Sequence, residues 1–127
     1  MAKRVREKAE KRAVEKDTRP QAHAMYIRMS PSKAKRTLDL IRGKSYIEAV
    51  AILENINTAA SDPVQKVLKS AAANAEVKGF NRDDLGVVEC FANPGPTMKR
   101  GIWRGRGGHD VIIKRSCHIT VVLDSVK

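Results

Sequence analysis

The chain has 127 residues, 42% of them apolar, with 25 Lys and Arg against 14 Asp and Glu for a formal charge of +11. That length suits one modest core and is too short for two, and the charge opposes compaction unless an anionic partner neutralises it. No apolar run approaches the roughly 18 to 20 residues of a membrane span, and the N-terminus lacks the apolar centre of a signal peptide while carrying Glu7, Glu10, Glu15 and Asp17, unlike an acid-poor transit peptide; a soluble protein that stays where it is made is expected.

Residues 1–21 read as a basic N-terminal extension. Val5, Ala9, Ala13 and Val14 offer too little apolar surface to hold a helix on a core, and the segment is flexible or helical depending on its partner. Its acids lie three or four residues from bases, as in Glu7 with Lys11 and Glu15 with Arg19, so a solvated helix and an RNA-contacting arm are both open readings. Pro20 ends it. Ala24 to Met29 then reads as a strand in which Met25, Ile27 and Met29 alternate with Ala24, Tyr26 and Arg28.

Ser30 followed by Pro31 signals a helix start, the serine hydroxyl being able to cap free amides. Ala34, Leu38 and Ile41 share one face, Gly43 closes the helix, and the outer face is basic with Lys33, Lys35, Arg36, Arg42 and then Lys44 against the single acid Asp39. Ser45 and Glu48 have the spacing of a capping box, followed by the stripe Tyr46, Ala49, Val50 and Leu53. Asp62-Pro63 opens a third helix with the narrow stripe Val64, Val67, Leu68, Ala71 and Ala75, ended by Gly79. After a polar turn at 81–84, Leu85 to Ala92 and Ile112 to Leu123 are rich in strand formers, the latter with Ile119, Val121 and Leu123 alternating with His118, Thr120 and Val122. The expected fold is α+β: three helices packed on a small three-stranded antiparallel sheet, with a long protruding β-hairpin. Residues 22–127 then form a single domain with the hairpin at about 93–115.

The charge is unevenly spread. Residues 45–97 carry 4 basic and 7 acidic groups, whereas 1–20 carry 8 and 4, 21–44 carry 6 and 1, and 98–127 carry 7 and 2. A binding face backed by an acidic body accounts for this better than charge kept for solubility. Between the last two strands lies Asn93-Pro-Gly-Pro-Thr-Met-Lys-Arg-Gly-Ile-Trp-Arg-Gly-Arg-Gly-Gly-His-Asp, with four glycines between Gly101 and Gly108. Lys99, Arg100, Arg104 and Arg106 lead out and Lys114 and Arg115 return, so cations line both arms of a ribbon that the body barely anchors. Arginine offers planar forks for phosphate and can stack on bases, and Trp103 has the flat ring to stack on an unpaired base. At about 3.3 Å per residue, Gly95 to Gly105 reaches roughly 33 Å from the body. A disordered basic loop of the RGG type is the alternative, disfavoured because apolar strands flank the segment on both sides. With Arg28, these cations and those of the first helix are the candidate RNA-binding residues.

Catalysis is not supported. His23, His109 and His118 are scattered, and Cys117 and His118, adjacent on a strand, point to opposite faces. Cys90 and Cys117 lack metal-ligand spacing and read as buried small apolar residues, so no metal or cofactor is expected.

The runs Met29-Ser-Pro-Ser-Lys-Ala-Lys-Arg, Leu40-Ile-Arg-Gly-Lys-Ser, Glu48-Ala-Val-Ala-Ile-Leu, Val67-Leu-Lys-Ser-Ala-Ala-Ala-Asn-Ala-Glu, Gly95-Pro-Thr-Met-Lys-Arg and Lys114-Arg-Ser-Cys-His-Ile-Thr-Val-Val occur in unbroken order over about residues 24–124. In these the chain resembles bacterial-type large ribosomal subunit protein twenty-two. The resemblance implies a structural constituent of the cytoplasmic ribosome that binds large-subunit ribosomal RNA, contacts neighbouring ribosomal proteins and supports subunit assembly. It further implies a hairpin reaching the nascent-peptide exit tunnel, where the growing peptide passes, and no independent homo-oligomer. By position, Met98, Lys99 and Arg100 match the outgoing arm, with which macrolide sensitivity is associated in the family, and Gly101, Ile102, Trp103, Arg104, Gly105 and Arg106 complete the tip. The tip departs from the usual pattern in having Trp103 where proline is frequent, and Gly105, Gly108 and Val111 where small or basic residues are common. A free nucleic-acid-binding or RNA chaperone protein is the alternative reading.

Overall fold

The computed structural model describes residues 3–14 and 17–126. The elements run α1 (Lys3–Val14), β1 (Gln21–Ile27), α2 (Pro31–Ile41), α3 (Tyr46–Asn55), α4 (Ser61–Val77), β2 (Leu85–Pro94), β3 (Met98–Trp103), β4 (His109–Lys114) and β5 (Cys117–Ser125). The class is the expected α+β. The body has three helices on a three-stranded sheet ordered β1-β5-β2, both pairings antiparallel. β3 and β4 form a separate two-stranded ribbon. The fourth helix, α1, lies in the extension and is exposed throughout. The Glu7–Lys11 pair does not form an ion pair, and Glu15, the expected partner of Arg19, lies outside the described residues.

The helices form where local chemistry instructs them. The capping box at Ser45 and Glu48 is present in both directions, the Glu48 amide donating to Ser45 Oγ and the Ser45 amide to Glu48 Oε2. Gly43 and Gly79 sit at φ +71° and +86°, in the left-handed region that a residue without Cβ enters at little cost. Beyond Gly79 the Phe80 amide returns to the Ala75 carbonyl, satisfying an end that would otherwise be orphaned. Two details differ from expectation. Ser30 holds the extended N-cap conformation, but its hydroxyl pairs with Ser32 Oγ at 2.7 Å instead of capping an amide. α4 begins two residues before Pro63, at Ser61, whose hydroxyl is anchored on the Ile56 carbonyl at 2.8 Å.

One sheet face is covered. α4 lies over β1 and β5, α2 over β2, and α3 packs on α2 and α4. The expected stripes meet there: Ala34, Leu38 and Ile41 from α2, Ala49 and Leu53 from α3, and Val64, Val67, Leu68, Ala71 and Ala75 from α4. Opposite them lie Ala22, Val87, Cys90, Ala92, Ile119, Val121 and Leu123. Truncating one such fully buried leucine, Leu38 or Leu68, costs about 2–5 kcal/mol through lost transfer energy and the cavity left behind. Both cysteines are buried, and burial pushes both thiols above their ordinary value.

Two strand readings are corrected. The expected alternation of Met25, Ile27 and Met29 fails because β1 starts at Gln21 and is irregular between Ala24 and Ile27. Ala24 faces the helices, Met25 is exposed, and Tyr26 at φ +58° resets the phase so that Ile27 packs on the core again. The apolar run from Ile112 to Leu123 is two strands, divided at Arg115–Ser116. Ser116 explains the break: its carbonyl accepts from the Gly95 amide at 2.9 Å and its hydroxyl donates to the Pro96 carbonyl at 2.6 Å, closing the neck where the ribbon leaves the body.

Candidate nucleic-acid interface

The ribbon is a six-pair ladder from Met98–Lys114 to Trp103–His109. Across an antiparallel ladder, paired residues share a face. Met98, Arg100 and Ile102 therefore lie with Lys114, Ile112 and Asp110 on one side, and Lys99, Gly101 and Trp103 with Ile113, Val111 and His109 on the other. Each side carries both cations and large apolar side chains. Every ribbon residue except the half-buried Ile102 is exposed, and Trp103 is 86% so.

The returning arm differs from the strand reading. Ile112 and Ile113, read from sequence as the start of the last strand, project with Val111 from the returning arm into solvent. The signal was there in the Gly107-Gly108 pair before them and the polar Lys114-Arg115-Ser116 after them. At the tip a single turn spans Gly105–Gly107, closed by Arg104 N–H donating to the Gly108 carbonyl at 2.8 Å. Arg106 and Gly107 both take positive φ there.

The candidate cations divide into two groups. Lys99, Arg100, Arg106, Lys114 and Arg115 on the ribbon, and Lys33, Lys35, Arg36 and Lys44 on or after α2, have exposed side chains and no acidic partner among the described residues. Apart from Arg100, which donates to the Lys99 carbonyl at 3.2 Å, they can take phosphate without first breaking a side-chain bond among the described residues. The other three are engaged. Arg104 bonds Asp110 across the ribbon at 2.6 Å. Arg42 bonds Asp39 at 2.9 Å and donates to the Cys90 carbonyl at 2.9 Å, closing the outer edge of β2. Arg28 donates to the Arg115 carbonyl at 2.5 Å and braces the neck. Arg42, placed by the sequence among the RNA-binding cations, therefore has structural work within the fold.

The extension meets the body through its last residues. Arg19 pairs with Asp17 at 2.7 Å and reaches Glu89 at 2.8 Å, and Lys78 Nζ donates to the Thr18 carbonyl at 2.5 Å. The adjacent guanidinium holds the Asp17 carboxyl down to about 2, and the two acids push Arg19 upward. Among the described residues no three His, Cys, Asp or Glu side chains group to hold a metal, and no helix is long and apolar enough to cross a membrane. Cys117 is buried toward the helices while His118 lies on the opposite sheet face bonded to the Tyr26 amide, so the two do not combine.

A two-layer body with a cationic helix face and a projecting, solvent-clad ribbon defines the class: a basic scaffold protein that contacts its partner over an extended surface. The family described as ribosomal protein L22p/L17e matches residues 22–124. Large ribosomal subunit protein uL22 of Lachnospira eligens is 52% identical over 118 residues, 92% of this chain and 91% of its own. The uL22 of Agathobacter rectalis is 49% identical over 129 residues, 98% of each chain, and that of Rippkaea orientalis 48% over 112 residues, 87% and 93%. The chain belongs to the ribosomal protein L22p/L17e family.

Proposed function

We propose that the chain is a structural constituent of the large ribosomal subunit in the cytoplasm, held by large-subunit ribosomal RNA and by neighbouring ribosomal proteins, and that it supports assembly of that subunit. It is a scaffold, not an enzyme. The observation that carries the reading is the ribbon. Its ladder exposes five large apolar side chains and, with its neck and tip, five cations without acidic partners among the described residues, an arrangement that makes sense only against a surface offering both phosphates and base faces. Residues 22–127 act as one RNA-binding domain with the ribbon at 93–115, and residues 1–21 as a basic arm whose last residues join the body, Gln21 opening β1.

The ribbon's destination is the wall of the nascent-peptide exit tunnel, with Met98 to Arg106 forming the part nearest the passing peptide. Sedimentation of cell extract through sucrose tests the first part, since the chain should travel with large subunits and not at the top of the gradient. A photo-crosslinker at position 103 or 105 tests the second. In stalled ribosomes it should capture ribosomal RNA or a growing peptide, whereas the same probe at the exposed Lys69 of α4 should capture no peptide. Labelling of nascent chains equally from both places would refute the tunnel placement.

A further inference from the structure

The helices cover only one face of the three-stranded sheet. On the other, the cross-strand rows are Gln21–Val122–Glu89, then His23–Thr120–Phe91, then Tyr26 beside His118–Asn93. Regular alternation after the inward Ala24 would have sent Tyr26 toward the helices. The irregularity at Met25–Tyr26 turns it to the open face instead, where it is 63% exposed, and Phe91 in the neighbouring row is 38% exposed.

Tyr26 stands at φ +58°, which bulky L-residues rarely adopt and which persists where the surroundings overdetermine it. Here they do. The Tyr26 amide donates to His118 Nδ1 at 3.0 Å, and the two rings meet edge to face at 4.9 Å and 90°. Because Nδ1 accepts, the proton of the neutral ring lies on Nε2. Gly95 leaves room for that ring, since a Cβ there would sit 3.1 Å from Cε1 and Nε2.

We propose that this open sheet face is a further RNA-binding surface, on which the Tyr26–His118 pair receives an unpaired base and the charge of Arg28 at the neck attracts its phosphate. The inference rests on the ribosomal reading above but concerns the body, not the ribbon. Charge and chemistry select the occupant. Of the acids on this face, Glu89 is already paired with Arg19 and Asp124 lies at the end away from the neck, while the end toward the neck carries Arg28, which rests on the Arg115 carbonyl. The floor mixes rings with the Thr120 hydroxyl, the Asn93 amide and two imidazoles. The Thr120 hydroxyl is already paired with His23 Nδ1 and His118 Nδ1 with the Tyr26 amide, so what the face offers a partner is chiefly its exposed rings, and a nucleobase brings a π-face to match them with donors and acceptors at its edge. A base still inside a duplex cannot stack this way, so the occupant is single-stranded.

Tyr26→Gly removes the ring at a position where glycine accepts the backbone, so the fold, read by circular dichroism, is retained. The ribbon is first silenced with K99Q, R100Q, W103A and R106Q, and binding of labelled decauridylate and of a ten-base-pair RNA duplex is followed by anisotropy. Tyr26→Gly should weaken decauridylate binding roughly tenfold, the usual effect of losing one stacking ring, and leave the duplex unchanged. No binding of decauridylate by the ribbon-silenced protein, equal affinity with and without Tyr26, or equal loss on the duplex overturns the proposal. In purified large subunits a photo-crosslinker at position 26 should capture RNA, and capture of a neighbouring protein overturns it as well. Sedimentation with large subunits reads membership of the particle separately, so failure of that reading is distinguishable from failure of this one.

Discussion

Neutralising the ribbon offers the sharpest test of how the protein holds RNA. Lys99, Arg100, Arg106 and Lys114 are exposed, have no acidic partner among the described residues and touch none of the buried core. Replacing all four by glutamine keeps length and polarity while removing four charges. If each contacts one phosphate, the slope of log K against log salt should shrink by about 0.7 to 0.9 per residue, or about 3 for the set. Over a fourfold rise in salt, the ratio of wild-type to variant affinity should therefore fall by roughly 4 to the power 3, about 60-fold. Arg104 is left alone because its bond to Asp110 confounds the count. Filter binding to large-subunit RNA across a salt series measures the slope, and thermal unfolding checks the fold. Surface changes of this kind usually cost within about 0.5 kcal/mol each, so the melting curve should hardly move. An unchanged slope would show that these cations face solvent in the complex, and a collapsed fold would show that the ribbon supports the body.

Changing Lys33, Lys35 and Arg36 of α2 together to glutamine should leave circular dichroism intact and slow entry into assembling subunits in pulse-labelled cells, because all three project from the exposed face. Arg42→Gln should behave differently, lowering stability by about 1 kcal/mol in urea titration through the bond lost to the Cys90 carbonyl, with little change in RNA affinity. The tip from Gly101 to His109 should relax faster than the helices by amide NMR in the free protein, since Ile102 and Trp103 are too few to offset the ordering of its glycines; uniform rigidity would contradict this. Because burial raises both thiols in the fold, their contribution to stability is fully present below pH 9 and declines as pH rises beyond it, so the melting temperature should drop on the alkaline side and drop less in Cys117→Ala.

What could be read in the sequence was what is encoded locally. The Ser45–Glu48 box, the positive-φ glycines 43 and 79 and the apolar stripes of α2 and α4 each depend on residues within a turn or two, and each stands where the spacing placed it. The misreadings share the opposite cause. Strand propensity is equally high on both sides of Ser116, and what splits the run is a clamp to Gly95 and Pro96 some twenty residues earlier. The irregularity at Tyr26 is held by His118, 92 residues away, and the engagement of Arg42 by a carbonyl 48 residues away. Charge composition marked the cationic segments, but it could not say which cations the fold itself consumes.

The same division explains why the ribbon cannot be understood from the isolated chain. A two-stranded hairpin is marginal in water even when well paired, and this one concentrates Lys99, Arg100, Lys114 and Arg115 along its ladder and neck with only Asp110 to offset them. Its apolar residues alternate between faces, so no single-sided collapse onto the body could bury both Trp103 with Val111 and Ile113 and, across the ladder, Met98 with Ile102 and Ile112. A partner that surrounds the ribbon can. With RNA as that partner, as proposed, phosphates would neutralise the cations, bases would cover the apolar side chains on both faces, and the tip glycines would let backbone approach closely. The body supplies the reverse: a core closed by its own helices, and a neck tied by Gly95, Pro96 and Ser116. Stability thus comes from one part of the chain and reach from the other, and on the proposed reading the second is completed by RNA.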